Sequence, residues 1–231
     1  MLKPSIHSRT VSQSPTSAFT LIEMLVVIAI IALLASIVIP SISGALKRAK
    51  TTKGLSNLRQ LGNGFTLYAS ERYGKLPYQQ SSSTNTWHLD VAPYLEGFTG
   101  RHFYDLAQVG SRPPGVFACP MSDSLIRPGN YSDYGMNQLV NDHGDRQNDP
   151  QRSVDQLPGS SMILLADSVN CTRYLGPYLT NGGLDPRHRG DGVNVLYVDG
   201  HVKTERLAEL WDQIDGDKRF QAPWGWDGWR N

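Results

Sequence analysis

Residues 185–202 read DPRHRGDGVNVLYVDGHV and gather His188, Asp191, Asp199 and His201 in one short stretch. Imidazole and carboxylate groups at this density suit a general acid–base pair, a metal centre, or a structural His–Asp hydrogen bond. A turn signal in the same residues competes with the catalytic reading. Apolar positions from Val193 to Glu205 flank Asp199-Gly200. That pair suits a two-residue β-hairpin loop of the type I′ kind, where both central residues take positive φ. Asp191-Gly192 likewise reads as a turn leading into the strand, and His201 as a surface residue beside the tip. The pattern therefore favours a hard-cation site built from Asp oxygens, with calcium as the candidate, or a structural His–Asp hydrogen bond. No other cofactor is expected. Arg189-Gly190-Asp191 matches an adhesion tripeptide by letter only.

Nucleophile–base spacings such as GxSxG or HExxH do not occur in the chain, so an anchored hydrolase is disfavoured and the chain does not read as an enzyme. The two cysteines, Cys119 and Cys171, belong to no CxxC pair and to no Cys/His ligand spacing, so a zinc site is not expected from the sequence. Outside the cytoplasm they could form one disulfide; two buried free thiols are the alternative. With 22 Lys+Arg against 21 Asp+Glu in 231 residues, the charge balance carries no nucleic-acid footprint.

The elements that must position these residues follow from the patterning. Short apolar runs edged by Gly and Pro, Gly115–Pro120 and Ser161–Asp167, read as strands, and Val193–Glu205 as the hairpin. Gln79–Thr86 and Asn141–Asp155 are polar and read as loops. Thr204 is placed to cap a short helix through Ile214. Upstream, Ser41–Tyr73 carries a stripe of Leu55, Leu58, Leu61, Phe65 and Tyr68 at helical spacing, fit to bury against a sheet. Gly54, Gly62 and Gly64 interrupt it, each costing about 1 kcal/mol relative to Ala in a helix interior. Gly74 and Pro77 supply the stop. The fold class is α+β, with a long N-terminal helix packed on a small antiparallel sheet. The tail carries Trp224, Trp226 and Trp229, which could recognise glycan or a secreted cargo.

At the front, residues 18–40 read AFTLIEMLVVIAIIALLASIVIP. From Phe19 to Ile39 the only charge is Glu23, and at 1.5 Å per residue the run spans about 31 Å, the thickness of a bilayer core. A polar leader precedes it with no small-x-small cleavage site after it, so the run reads as a retained single-span anchor. A carboxylate costs roughly 2.5–3.5 kcal/mol at the centre of a span and less near its edge. It therefore needs either the headgroups or a cation at its own depth, which an amine freed by cleavage between Ala18 and Phe19 would provide.

FTLIEMLVVIAIIALLASIVIP resembles the N-terminal segment of type IV pilins and type II secretion pseudopilins. The resemblance implies cleavage between Ala18 and Phe19 by a prepilin peptidase, N-methylation of Phe19, pairing of Glu23 with the amine of a neighbouring subunit, and a helix kink at Pro40. Ala18 stands where that family prefers Gly. The divisions implied are a leader over 1–18, a membrane and filament-core helix over 19–40, its amphipathic continuation over 41–76, and a β-rich head over 77–231. Arg187-His188 and Asn194–Val202 resemble a motif named for a His, nine residues and Asp-Gly, found in pilin-like proteins of planctomycetes and verrucomicrobia. Here ten residues separate His188 from Asp199, with Asp191 as the apparent insertion. NLRQLGNGFTLYASERYGKLP, Cys119-Pro120 and Tyr134–Asn137 resemble the same group.

The function implied is a structural subunit of a periplasmic pseudopilus serving type II-like protein secretion, with prepilin peptidase and other pilin-like subunits as partners. The rival is a membrane-anchored extracytoplasmic binding module. The resemblance puts the chain in the inner membrane as a single-pass protein with its head in the periplasm. Flanking charges count the other way, because Lys47, Arg48, Lys50 and Lys53 follow the span while Lys3 and Arg9 precede it.

Overall fold

The computed structural model describes residues 20–78, 86–98, 110–126, 131–137, 140, 151–169, 174–175 and 183–210, without the side chains of residues 40, 41, 174 and 175. Two units are distinguished, Met1–Gly44 and Ala45–Asn231. Helix α1, Leu21–Ser70, contributes to both.

In the first unit, every described side chain from Thr20 to Ile39 is exposed or, at Ala35, half-exposed. The helix is long and apolar enough to cross a membrane. Such a surface is unstable in water and suits lipid or other helices of the same kind. The helix continues through Pro40.

The second unit holds the core. Leu58, Leu61, Phe65 and Tyr68 of α1 are buried as the stripe predicts, while Leu55 is half-buried. The glycines on this face are close-approach positions. A Cβ at Gly54 would lie 2.8 Å from Asn194 Nδ2, and one at Gly62 3.0 Å from Leu196 Cδ1. At Gly64 it would lie 2.8 Å from both Val91 Cγ1 and Leu95 Cδ2. The propensity lost at these positions is exchanged for contact with the sheet and with the short helix α2, Trp87–Val91. After Ser70 the chain leaves the helix with Tyr73 and Gly74 in the left-handed region, and the Gly74 N–H donates to the Ala69 carbonyl at 2.8 Å.

Five strands form one sheet: β1 Tyr134–Asn137, β2 Ile163–Asp167, β3 Tyr174–Leu175, β4 Gly192–Tyr197 and β5 Val202–Arg206, in the order β3-β1-β2-β4-β5. The pairs β1–β2, β2–β4 and β4–β5 are antiparallel, as expected of the head; the edge pair β1–β3 is parallel.

Three local expectations differ. Gly115–Phe117 is a 3-10 turn rather than a strand, because the next N–H groups are taken elsewhere: Cys119 N–H donates to the Asp133 carboxylate at 2.8 Å. The hairpin tip has a three-residue loop. Leu196 pairs with Val202, Tyr197 N–H donates to the His201 carbonyl, and Gly200 N–H donates to the Tyr197 carbonyl. Gly200 alone takes a positive φ, 87°, which is the β-turn plus left-handed glycine form and leaves Asp199 unstrained. Thr204 is a strand residue whose hydroxyl donates to Asn194 Oδ1 at 2.6 Å, so it is not a helix cap.

Candidate functional site

Three side chains from distant parts of the sequence converge between α1 and the sheet. Cys119 follows the 3-10 turn, Asp167 ends β2, and His188 lies in the segment before β4. Nε2 of His188 is 3.0 Å from Oδ2 of Asp167 and 3.7 Å from Sγ of Cys119, and the three ligand-type atoms lie within 4.8 Å of one another. All three residues are buried. On the far side of the ring, Nδ1 lies 2.9 Å from Thr51 Oγ1 of α1, whose hydroxyl also lies 3.1 Å from the Lys47 carbonyl.

The backbone places His188 by a tight reversal. His188 N–H donates to the Gly192 carbonyl at 3.0 Å, and Gly192 N–H returns to the His188 carbonyl at 3.2 Å. Between them Gly190 (φ 67°) and Asp191 (φ 56°) are both left-handed. Gly192 must lack a side chain, since a Cβ there would lie 2.8 Å from Thr204 Cγ2 and 3.1 Å from the Arg189 carbonyl oxygen.

Arg187 anchors the same segment. Its Nη2 donates to Asp185 Oδ2 at 2.6 Å and to the Ser168 carbonyl, and its Nη1 lies 3.7 Å from Asp133 Oδ1. Asp133 accepts further from Cys119 N–H and from the Ser122 hydroxyl at 2.6 Å. Asp167 Oδ2 accepts from Asn194 N–H at 2.7 Å, whereas its buried Oδ1 has no hydrogen-bond partner among the described residues. Burial opposes the charge on Arg187, yet Asp167, Asp185 and Asp133 outweigh it and hold its pKa above the ordinary value. Burial, reinforced by the charge of Asp167, pushes the Cys119 thiol up to about 12.

This is not a nucleophile relay. In a thiol–imidazole–carboxylate relay the carboxylate holds the ring nitrogen opposite the nucleophile. Here thiol and carboxylate meet the same nitrogen, and a buried thiol with a raised pKa is not a thiolate. The set of one sulfur, one nitrogen and one oxygen can instead form a hydrogen-bonded clasp or ligate a borderline-soft metal.

The expected grouping of His188, Asp191, Asp199 and His201 is divided. Asp191 is exposed in the reversal. Asp199 and His201 pair at the hairpin tip, Oδ1 to Nδ1 at 2.6 Å, with the ring stacked on Tyr197 at 4.1 Å. Burial raises the Asp199 pKa slightly, but hydrogen bonds from the His201 backbone and ring bring it below the usual value. The two ends of β4, Gly192 and Tyr197, are about 17 Å apart at the strand rise, too far for one ion to serve both. Of the two cysteines, Cys119 is a free thiol; Cys171 lies outside the described residues, as do Ala18, Phe19, Trp224, Trp226 and Trp229. Sequence reasoning passed over Asp167, Asp133 and Thr51. The available signal was a carboxylate closing the apolar run SMILLAD, where an unpaired charge would be costly.

In the first unit, Glu23 closes a reciprocal N-terminal cap. Its Oε2 accepts from Thr20 N–H at 2.8 Å and from the Thr20 hydroxyl at 2.7 Å, while Glu23 N–H approaches Thr20 Oγ1 at 3.3 Å. This Thr-x-x-Glu box satisfies the first orphan donors of α1.

Compared with known families, residues 14–39 match the prokaryotic N-terminal methylation motif. No curated protein and no solved structure matches the chain. The motif, together with an apolar helix of spanning length, the one such helix among the described residues, supports a membrane-anchored, pilin-like precursor of the kind a prepilin peptidase processes.

Proposed function

We propose that the chain is a pseudopilin-type structural subunit. It is cut between Ala18 and Phe19, methylated on Phe19, held in the inner membrane with its head in the periplasm, and assembled with other pilin-like subunits into a short filament serving type II-like secretion. The observation that carries this reading is the methylation motif over residues 14–39, whose part from Leu21 to Ile39 lies on the exposed apolar start of α1. Its mechanism is mechanical. The apolar helices bundle without a preferred axial offset of their own, and Glu23 provides one, because a carboxylate leaving lipid for a bundle is still poorly solvated unless a neighbour's amine meets it. The head contributes rigidity and outer surface.

The test is mass spectrometry of the mature N-terminus combined with a Glu23→Val variant. Mature chains should begin with N-methylated Phe19. The variant should be inserted and cleaved as wild type, since a charge is removed from the span and the cleaved bond is untouched, yet fail to give ordered multimers on shearing or cross-linking. A native protein retaining Met1, or normal multimers from the variant, overturns the reading.

A further inference from the structure

We propose that Cys119, Asp167 and His188 bind a zinc ion that fastens the second half of α1 to the head.

Ligand spacing carries the first argument. At zinc bond lengths of about 2.3 Å to sulfur and about 2.0 Å to nitrogen or oxygen, tetrahedral ligands lie about 3.3–3.6 Å apart. The S–N and N–O separations here are 3.7 and 3.0 Å, within about 0.3 Å of those values, and the S–O separation, at most 4.8 Å, closes by rotation of the two side chains. Ligand chemistry gives the second. Thiolate and imidazole select zinc over calcium or magnesium, which take oxygen ligands.

Charge gives the third. Asp133 and Asp167 are fully buried and Asp185 is partly so, and two guanidiniums among the described groups oppose them, buried Arg187 and half-exposed Arg112, whose Nη2 lies 3.9 Å from Asp133 Oδ2; three carboxylates against two guanidiniums leave an excess of one negative charge. Asp167 Oδ1, buried and unpartnered among the described residues, sits in this field. The Cys119 thiolate that binding creates brings the excess to two, which a dication balances. Binding displaces one proton, from the Cys119 thiol to solvent, and the thiolate's electron pair goes to the metal.

Orientation of the imidazole gives the fourth. The Thr51 hydroxyl can donate to the Lys47 carbonyl and so accept Nδ1–H of His188, which turns the Nε2 lone pair toward Asp167 and Cys119. Such an outer partner is what metal-binding histidines need. Three protein ligands leave the fourth position of a tetrahedral site to water. The ion would link the turn at Cys119, the end of β2 and the reversal before β4, with Thr51 joining α1 to them. This role is independent of filament assembly.

The test uses the full chain in detergent, stripped with chelator and titrated with cobalt. One equivalent per chain should bind, with a thiolate-to-cobalt charge-transfer absorption that zinc abolishes. Zinc should raise the melting temperature by about 5 °C or more. Cys119→Ser should lose the charge-transfer band, and Thr51→Val should weaken binding about tenfold. His201→Gln, at the other end of β4, should bind as wild type. Absence of the band in wild-type protein overturns the proposal whether or not any variant folds. Retention of the band in Cys119→Ser does the same, because it assigns the thiolate to another cysteine.

Discussion

Thr51 of α1 and His188 of the segment before β4 meet at 2.9 Å, Oγ1 to Nδ1, across 137 positions of sequence. Within the second unit this bond ties the helix to the motif that follows it. Thr51→Val keeps the shape and removes the bond, leaving a buried ring nitrogen unsatisfied. Denaturant unfolding should show a loss of about 1–3 kcal/mol, with Thr51→Ser close to wild type.

Arg187 is bonded to Asp185 and faces buried Asp133, whose other carboxylate oxygen Arg112 approaches at 3.9 Å. Arg187→Met should cost about 3–5 kcal/mol, since removing one partner strands the others. Arg187→Lys should recover little, because a point charge cannot reach the Ser168 carbonyl and two carboxylates at once. Equilibrium unfolding of the three proteins is the measurement.

Two glycines of α1 should respond in opposite directions. A Cβ at Gly44 meets nothing within 4 Å, so Gly44→Ala should leave stability unchanged or raise it by up to about 1 kcal/mol. Gly64→Ala drives a methyl into Val91 and Leu95 and should cost about 1–3 kcal/mol. Thermal melts of the two variants read this directly.

At the hairpin tip, Gly200→Val should cost roughly 1–2 kcal/mol or more, as its φ is left-handed. The Asp199 pKa lies below its unfolded value, so its contribution is present above pH about 4 and is lost as pH falls through the folded value. Solvent exposure keeps that contribution below about 1 kcal/mol. Asp199→Asn, which retains the Oδ1 acceptor, should be nearly silent at neutral pH and flatten the acid limb of the stability curve.

Glu23→Gln separates capping from charge. Glutamine completes a Thr-x-x-Gln box as well as glutamate does. If filament register depends on the charge, this variant should retain helix and membrane insertion and still fail to form ordered multimers. Cross-linking alongside Glu23→Val checks it.

Much of the architecture was legible because periodicity records it. Leu58, Leu61, Phe65 and Tyr68 repeat at helical spacing and are buried, and SMILLAD became β2. The methylation motif is contiguous, so sequence carried it whole. The buried cluster was not legible, since Cys119, Asp167 and His188 come from separate elements and no local spacing announces them. Gly54, Gly62 and Gly64 misled for a related reason. Their helix penalty is local, but the contacts that offset it lie in β4 and α2. GVFACP failed as a strand because the Asp133 carboxylate, 14 residues away from Cys119, captured its N–H.

The odd count of the hairpin loop has a genetic meaning. Asn194 and Thr204 share the face of β4 and β5 turned toward α1, while Glu205 reaches Tyr197 Oη at 2.8 Å. Losing one residue at Val198–Gly200 would leave a two-residue loop able to close on the same Tyr197–His201 pair, so the register of β5 is kept. Alternation in a strand is strictly two-fold, and losing one residue inside β5, at Lys203, would move every later side chain of the strand to the opposite face. Thr204 would turn from Asn194, and the Glu205 carboxylate would swing toward the helix. A single-codon deletion at the exposed tip therefore acts on a loop, whereas the same deletion four codons later acts as a core lesion.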